Sequence, residues 1–109
     1  MKWMQRPVIG LTTDSSDSDD RYMSTITYAA AIERAGGLPL LLPYAVDPSL
    51  IPQYVDLLDG ICFTGGNDMD PKKYCDEAYC FVSVDALNDA GLSARGFDIA
   101  TLNADLAAL

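Results

Sequence analysis

Apolar positions in this chain come in short blocks separated by polar punctuation, and the blocks differ in period. "PVIGLTT", Pro7 to Thr13, is a brief β-branched apolar run with a Pro before it and an Asp/Ser cluster after it, which predicts a buried strand. "STITYAAAIERAGG" then carries apolar residues at helical spacing, with Ile26, Ala29 and Ala30 on one side and Tyr28, Ile32 and Ala35 beside them. Ser24 suits the cap of that helix, and Gly36 and Gly37 supply its stop. "LPLLLP", Leu38 to Pro43, is too short for a helix and predicts a second buried strand. "DPSLIPQYVDLLDG" opens with Asp and Pro, which favour a helix start, and sets Leu50, Tyr54, Leu57 and Leu58 on one face. Pro52 limits how early that helix begins.

"GICFTGG" is a third apolar run, without alternation, as expected of a strand covered on both faces in a parallel sheet. Pro7 to Gly66 therefore predicts β-α-β-α-β with short connections, right-handed crossovers and a parallel sheet. Farther on, "CFVSV" has the composition of a fourth strand. The final stretch aligns Ile99, Leu102, Leu106 and Leu109 on one face of a sheet-covering helix.

A chain of 109 residues has the size of one ordinary domain, and half of its residues are hydrophobic. Folding at this length buries roughly two thirds of the surface. No stretch approaches the roughly 20 apolar residues that cross a bilayer, so a soluble, cytoplasmic protein is expected. Sixteen acids against seven bases give a net charge of −9, which repels a phosphate backbone and an anionic membrane alike. Nucleic acid and membrane are thus not expected partners. The acidic run "DSSDSDD", Asp14 to Asp20, is expected to be a solvated mobile loop.

The cysteine count is three, an odd number that precludes full pairing within the chain. Cys62 lies inside an apolar run and fits a small core residue. Cys75 and Cys80 occur without a second Cys pair, and the chain has no His, so the usual zinc ligands are missing. Neither a metal nor another cofactor is expected, and free thiols in a reducing compartment are the default.

Chemistry concentrates in "FTGGNDMDPKKY", Phe63 to Tyr74, just past the third strand. In parallel α/β sheets, ligands bind beyond the carboxyl ends of the strands. Glycines at such an end let the backbone turn sharply and leave N–H groups uncovered for an approaching oxygen. Gly65 and Gly66 fit an anion cradle or half of an oxyanion hole. They also fit a plain tight turn out of a strand, and the pair alone does not choose.

The combination does more. "RPVIGLTTD", "YAAAIERAGGLPLLLP" and "YVDLLDGICFTGGNDMDPKKY", in that order and at those intervals, resemble the N-terminal part of the γ-glutamyl hydrolase branch of the class I glutamine amidotransferase-like superfamily. That branch includes γ-glutamyl-γ-aminobutyrate hydrolases. The resemblance is strongest over 6–74 and treats 1–109 as a single, incomplete domain. It implies an α/β fold, a flavodoxin-like parallel sheet sandwiched by helices. It also implies hydrolysis of a small γ-glutamyl amide by a Cys–His–Glu triad, in which thiolate attacks, His moves the proton and two backbone N–H groups hold the oxyanion.

Carried over residue by residue, Gly65 and Gly66 match the pair that supplies an oxyanion-hole amide, with Gly66 the expected donor. Asn67 and Asp68 match the start of the adjoining loop, with a shaping role first and substrate contact second. Asp70, Pro71 and Tyr74 complete the fingerprint. The nucleophile does not carry over: it belongs on a GxCxG elbow, and Cys62, Cys75 and Cys80 all lack that context. Cys75 stands where the family commonly has Gly. Asn88 stands where it usually has Arg, and "GLSARG" looks inserted. Where "CFVSV" suits a strand, the resemblance implies a loop. It further implies that the sequence stops before the elbow strand, leaving apolar faces and a sheet edge that favour a homo-oligomer or aggregation. The chain alone is accordingly expected not to turn over γ-glutamyl amides. Two other readings stay open: a noncatalytic binding or dimerisation remnant of the same fold, and a flavodoxin-like nucleotide binder. The second suffers from the absence of a P-loop lysine and of GxGxxG spacing.

Overall fold

A computed structural model describes residues 5–15, 21–43, 47–63, 80–84 and 89–108. Three parallel strands form its centre: β1 (Val8–Thr12), β4 (Leu38–Leu42) and β5 (Gly60–Phe63). Between the first two run a short antiparallel ribbon, β2 (Asp14–Ser15) and β3 (Tyr22–Met23), and helix α1 (Ile26–Arg34). A 3-10 turn (Pro48–Leu50) and α2 (Ile51–Leu57) lead into β5. After it come β6 (Cys80–Ser83), α3 (Asp89–Ala94) and α4 (Ile99–Ala107). The sheet order is β4-β1-β5-β6, with β6 antiparallel to β5. The α/β, flavodoxin-like reading holds, with one antiparallel strand added where the sequence composition and the family resemblance disagreed.

One face of the sheet makes the core. Ile9 and Leu11 of β1 and Cys62 of β5 meet Ala31, Ile32 and Ala35 at the end of α1, and Leu92, Phe97, Leu102 and Leu106 from the last two helices. The predicted stripe of α4 is confirmed at Leu102 and Leu106, with Ile99 packed beside them; Leu109 lies outside the described residues. Phe81 of β6 tilts against Phe97 with ring centroids 5.4 Å apart, tying the antiparallel strand to the same core.

Two helix ends lock this layer. At α1 the Gly37 N–H donates to the Ile32 carbonyl and the Gly36 N–H to that of Glu33, the paired bonds of a Schellman stop, with Gly36 at φ 97°. At α3 the Phe97 and Gly96 N–H groups donate to Leu92 and Ser93 in the same pattern, with Gly96 at φ 87°. The segment "GLSARG", odd as an insertion, is the end of α3 and its stop. The two stops touch, and the Asp98 N–H donates to the Ala35 carbonyl at 2.7 Å.

Several expectations are corrected. The cap of α1 is Thr25, in extended conformation and without a side-chain cap bond, and not Ser24; the Tyr28 N–H closes on the Thr25 carbonyl instead. Ile26 is 85% exposed and takes no part in the core, which α1 joins only from Tyr28 onward. Helix α2 buries none of its residues: Leu57 faces water, as does Leu50 in the turn before it, and Leu58 is buried only by leaving the helix in extended conformation. Leu58 and Leu42 lie over Gly10 on the face opposite the core, where a Cβ on Gly10 would come within 2.8 Å of both.

Strand β4 is likewise not buried. Leu38, Leu40 and Leu41 are exposed because β4 is a sheet edge, which an apolar run without alternation does not announce. The Leu38 N–H donates to the Pro7 carbonyl, so in a parallel ladder the N–H groups of Leu40 and Leu42 also point inward. Position 39 therefore faces outward. Pro39, having no N–H, removes a donor from the open edge and blunts it against strand addition. The expected acidic loop is only partly a loop: Asp14 and Ser15 pair with Met23 and Tyr22, while 16–20 lie outside the described residues.

Candidate functional site

The chain leaves β1 for β4 on one side and later returns to β5 on the other side of β1. The strand order thus reverses between β1 and β5, and the crevice of an open α/β sheet forms at the carboxyl ends of the two strands flanking such a reversal. Here those ends are Thr12 and Phe63. In sequence the glycine motif begins one residue after Phe63. Gly65, Gly66, Asn67 and Asp68, with Asp70, Pro71, Tyr74 and Cys75, lie outside the described residues.

What β1 contributes was not foreseen. Thr12 and Thr13 are polar residues 6% and 7% exposed at the end of an apolar strand. The Thr13 hydroxyl donates to the Leu42 carbonyl at 2.5 Å, clamping the finish of β1 to the finish of β4. A buried hydroxyl stays buried only when its hydrogen bonding is met, and this bond meets it. The signal was present in "GLTTD", where two hydroxyls close an apolar run before any turn residue appears. The ribbon β2/β3 rises directly from this point, with Arg21, Tyr22 and Met23 exposed.

The opposite end of the sheet is built for rigidity. Asp59 accepts from the Val8 N–H through Oδ2 at 2.9 Å and donates its own N–H to the Val8 carbonyl at 2.8 Å. Its Oδ1 pairs with Arg95 at 3.0 Å, joining the α3 stop to the two central strands. Arg6 donates to the Glu33 and Gly37 carbonyls at 2.9 and 3.2 Å, neutralising the negative end of α1. An open concavity of about 590 Å³ lined by Arg6, Glu33, Arg34 and Leu38 also sits at this end, away from the crevice.

Cys62 is fully buried, and desolvation pushes its thiol up to about 12. A thiol held protonated and sealed in a core is no nucleophile, in agreement with its reading as a small packing residue. Outside the crevice, Asp98 caps α4 by accepting from the Thr101 N–H at 3.0 Å and its hydroxyl at 2.7 Å, and Asp47 accepts from the Ser49 N–H at 3.0 Å. These bonds hold both carboxyls below the usual carboxylate range.

Residues 7–86 match the Peptidase C26 family. A glutamine amidotransferase-like protein of Rickettsia prowazekii is 38% identical over 79 residues, covering 64% of this chain and 27% of that protein. The γ-glutamyl-γ-aminobutyrate hydrolase of Escherichia coli K12 is 37% identical over 75 residues, covering 65% of this chain and 30% of its own. This chain therefore spans about three tenths of the length of these relatives.

Proposed function

Because the chain belongs to the Peptidase C26 family, we propose that it forms the N-terminal part of a hydrolase of γ-glutamyl amide bonds, of the γ-glutamyl-γ-aminobutyrate hydrolase type. The observation that supports this reading is that β5, which "TGGND" follows in sequence, ends where the strand order reverses. Within that motif, the Gly66 N–H, assisted by the turn at Gly65, donates to the carbonyl oxygen of the amide as that oxygen gains charge. Asn67 and Asp68 shape the loop and edge the substrate. Thr12 and Thr13 form the facing wall, Thr13 held in place by its bond to the Leu42 carbonyl.

Such a hydrolase works by thiolate attack on the γ-carbonyl and proton return by an imidazole. The present sequence has no His, and Cys62 is a sealed, protonated thiol. Its own residues accordingly bind and polarise the amide without cleaving it. The substrate is a small γ-glutamyl compound, and the compartment is the cytoplasm. Among the described residues no helix is long and apolar enough to cross a membrane.

Amide-resolved NMR titration with γ-glutamyl-γ-aminobutyrate tests this. Shifts concentrated at Gly65 to Asp68 and at Thr12 and Thr13, with no release of γ-aminobutyrate, are expected. An unperturbed crevice overturns the binding role, and turnover that disappears on Gly66→Pro overturns the claim of inactivity.

A further inference from the structure

The concavity at the start of β4 lies outside the crevice. Arg6 precedes β1 and Leu38 opens β4, so it stands at the end of the sheet away from Thr12 and Phe63. All of its lining falls within the described residues. Helix α1 contributes Ala30 and, one turn later, Glu33 and Arg34. Ala30 and Pro39, both half-buried, supply apolar lining. Its volume of about 590 Å³ is in the range of small-molecule sites.

The charged groups here are unequally spent. Arg6 donates through Nη1 alone, to the Glu33 and Gly37 carbonyls, and both acceptors belong to the same lining, so its guanidinium is pinned at the concavity. The side-on edge of that guanidinium, Nε–H and Nη2–H, bonds to no described residue. It is an edge of this kind that grips a carboxylate with two parallel hydrogen bonds. Arg34 is already matched by Asp105, through Nε at 3.0 Å. The exposed Glu33 side chain has no hydrogen bond or ion pair among the described residues. One guanidinium edge and one carboxylate therefore stay open beside an apolar surface. From this we infer that the concavity binds an apolar α-amino acid, its carboxylate on Arg6, its ammonium on Glu33 and its side chain against Ala30 and Pro39. The single opposite charges of the ligand answer those of the site. A multiply charged anion such as phosphate meets Glu33 and a chain of net charge −9 instead. The site is independent of the γ-glutamyl reading, and neither requires the other.

Amide-resolved NMR titration of the full 109-residue chain tests the inference with L-leucine and three comparison probes. L-leucinamide lacks the carboxylate, N-acetyl-L-leucine lacks the ammonium and stands for the end of a peptide, and inorganic phosphate is the simple anion. L-leucine is expected to shift the amides of Ala30, Arg34, Gly37 and Leu38 and to bind about tenfold or more tightly than either derivative, as suits one charge-assisted contact. Phosphate should leave those amides unmoved. Glu33→Gln should erase the preference over N-acetyl-L-leucine, and Arg6→Gln the preference over L-leucinamide. No shift at these amides with L-leucine overturns the site. N-acetyl-L-leucine or phosphate binding as tightly as L-leucine overturns the amino-acid assignment in favour of a peptide end or a simple anion. Arg6→Gln also removes a tie at the end of α1, and where that variant fails to fold, the wild-type probes and the exposed substitution Glu33→Gln decide. Equal binding of L-leucine and L-leucinamide, or a preference unchanged in Glu33→Gln, overturns the inference.

Discussion

A Cβ added at Gly36 would sit 2.5 Å from the carbonyl oxygen of Gly96, whereas one added at Gly96 would meet nothing within 4 Å. Both residues hold left-handed backbone, yet only one is pressed against its neighbour. An alanine in this conformation costs about 1–2 kcal/mol at either position. At Gly36 a further 1–3 kcal/mol or so follows from forcing the Gly96 carbonyl and the α3 stop away from α1. Urea unfolding of Gly36→Ala and Gly96→Ala should show this inequality, and equal losses would mean that the stops do not bear on each other.

Asp59 is the second point where distant segments are tied. Asp59→Ala strands the Val8 N–H and releases Arg95, for a loss of about 1–3 kcal/mol. Arg95→Gln should cost no more than about 1 kcal/mol, since the ion pair is partly solvated. If chemical denaturation ranks Arg95→Gln as the more damaging change, the backbone bond to Val8 is not what Asp59 is for.

Thiol chemistry should divide the cysteines. Cys62, buried with its thiol pushed up to about 12, is expected to resist iodoacetamide at pH 8 in the folded chain and to react once denatured. Peptide mapping by mass spectrometry reads the site directly. Rapid native labelling of Cys62 would show that the sheet opens at β5.

Stability should fall in acid through the helix caps. Asp98 and Asp47 have folded carboxyls held below their usual value of 3.8. Their contribution is therefore complete above that value and is lost as pH falls past it toward the lower folded values. In thermal melts, wild type should exceed Asp98→Asn at neutral pH, and the gap should close in strong acid. A gap independent of pH would assign the cap to packing rather than charge.

Periodicity made much of this fold legible. The blocks from Pro7 to Gly66 give β1, α1, β4, α2 and β5 in order, because short apolar runs punctuated by Pro and Gly leave few alternatives. Burial was less legible. "LPLLL" has the composition of a central strand and is an edge, since what covers a strand depends on partners far away in sequence. The cap at Thr25 was missed because Ser24 and Thr25 are chemically equivalent there and the bond that starts the helix is backbone to backbone. Of the crevice, the strand that ends just before the glycine motif was legible as the third apolar run. The hydroxyl clamp from Thr13 to Leu42 was not, because it joins residues 29 apart.

The core has an order of assembly written into it. Ile9 and Leu11 leave the ribosome early, but Phe97, Leu102 and Leu106, which cover them, come more than eighty positions later. The bond from Val8 to Asp59 spans 51 positions and that from Arg34 to Asp105 spans 71. A nascent chain therefore carries its most buried strand unroofed until the segment through Leu106 has emerged, and holdase protection during synthesis falls on β1 above all.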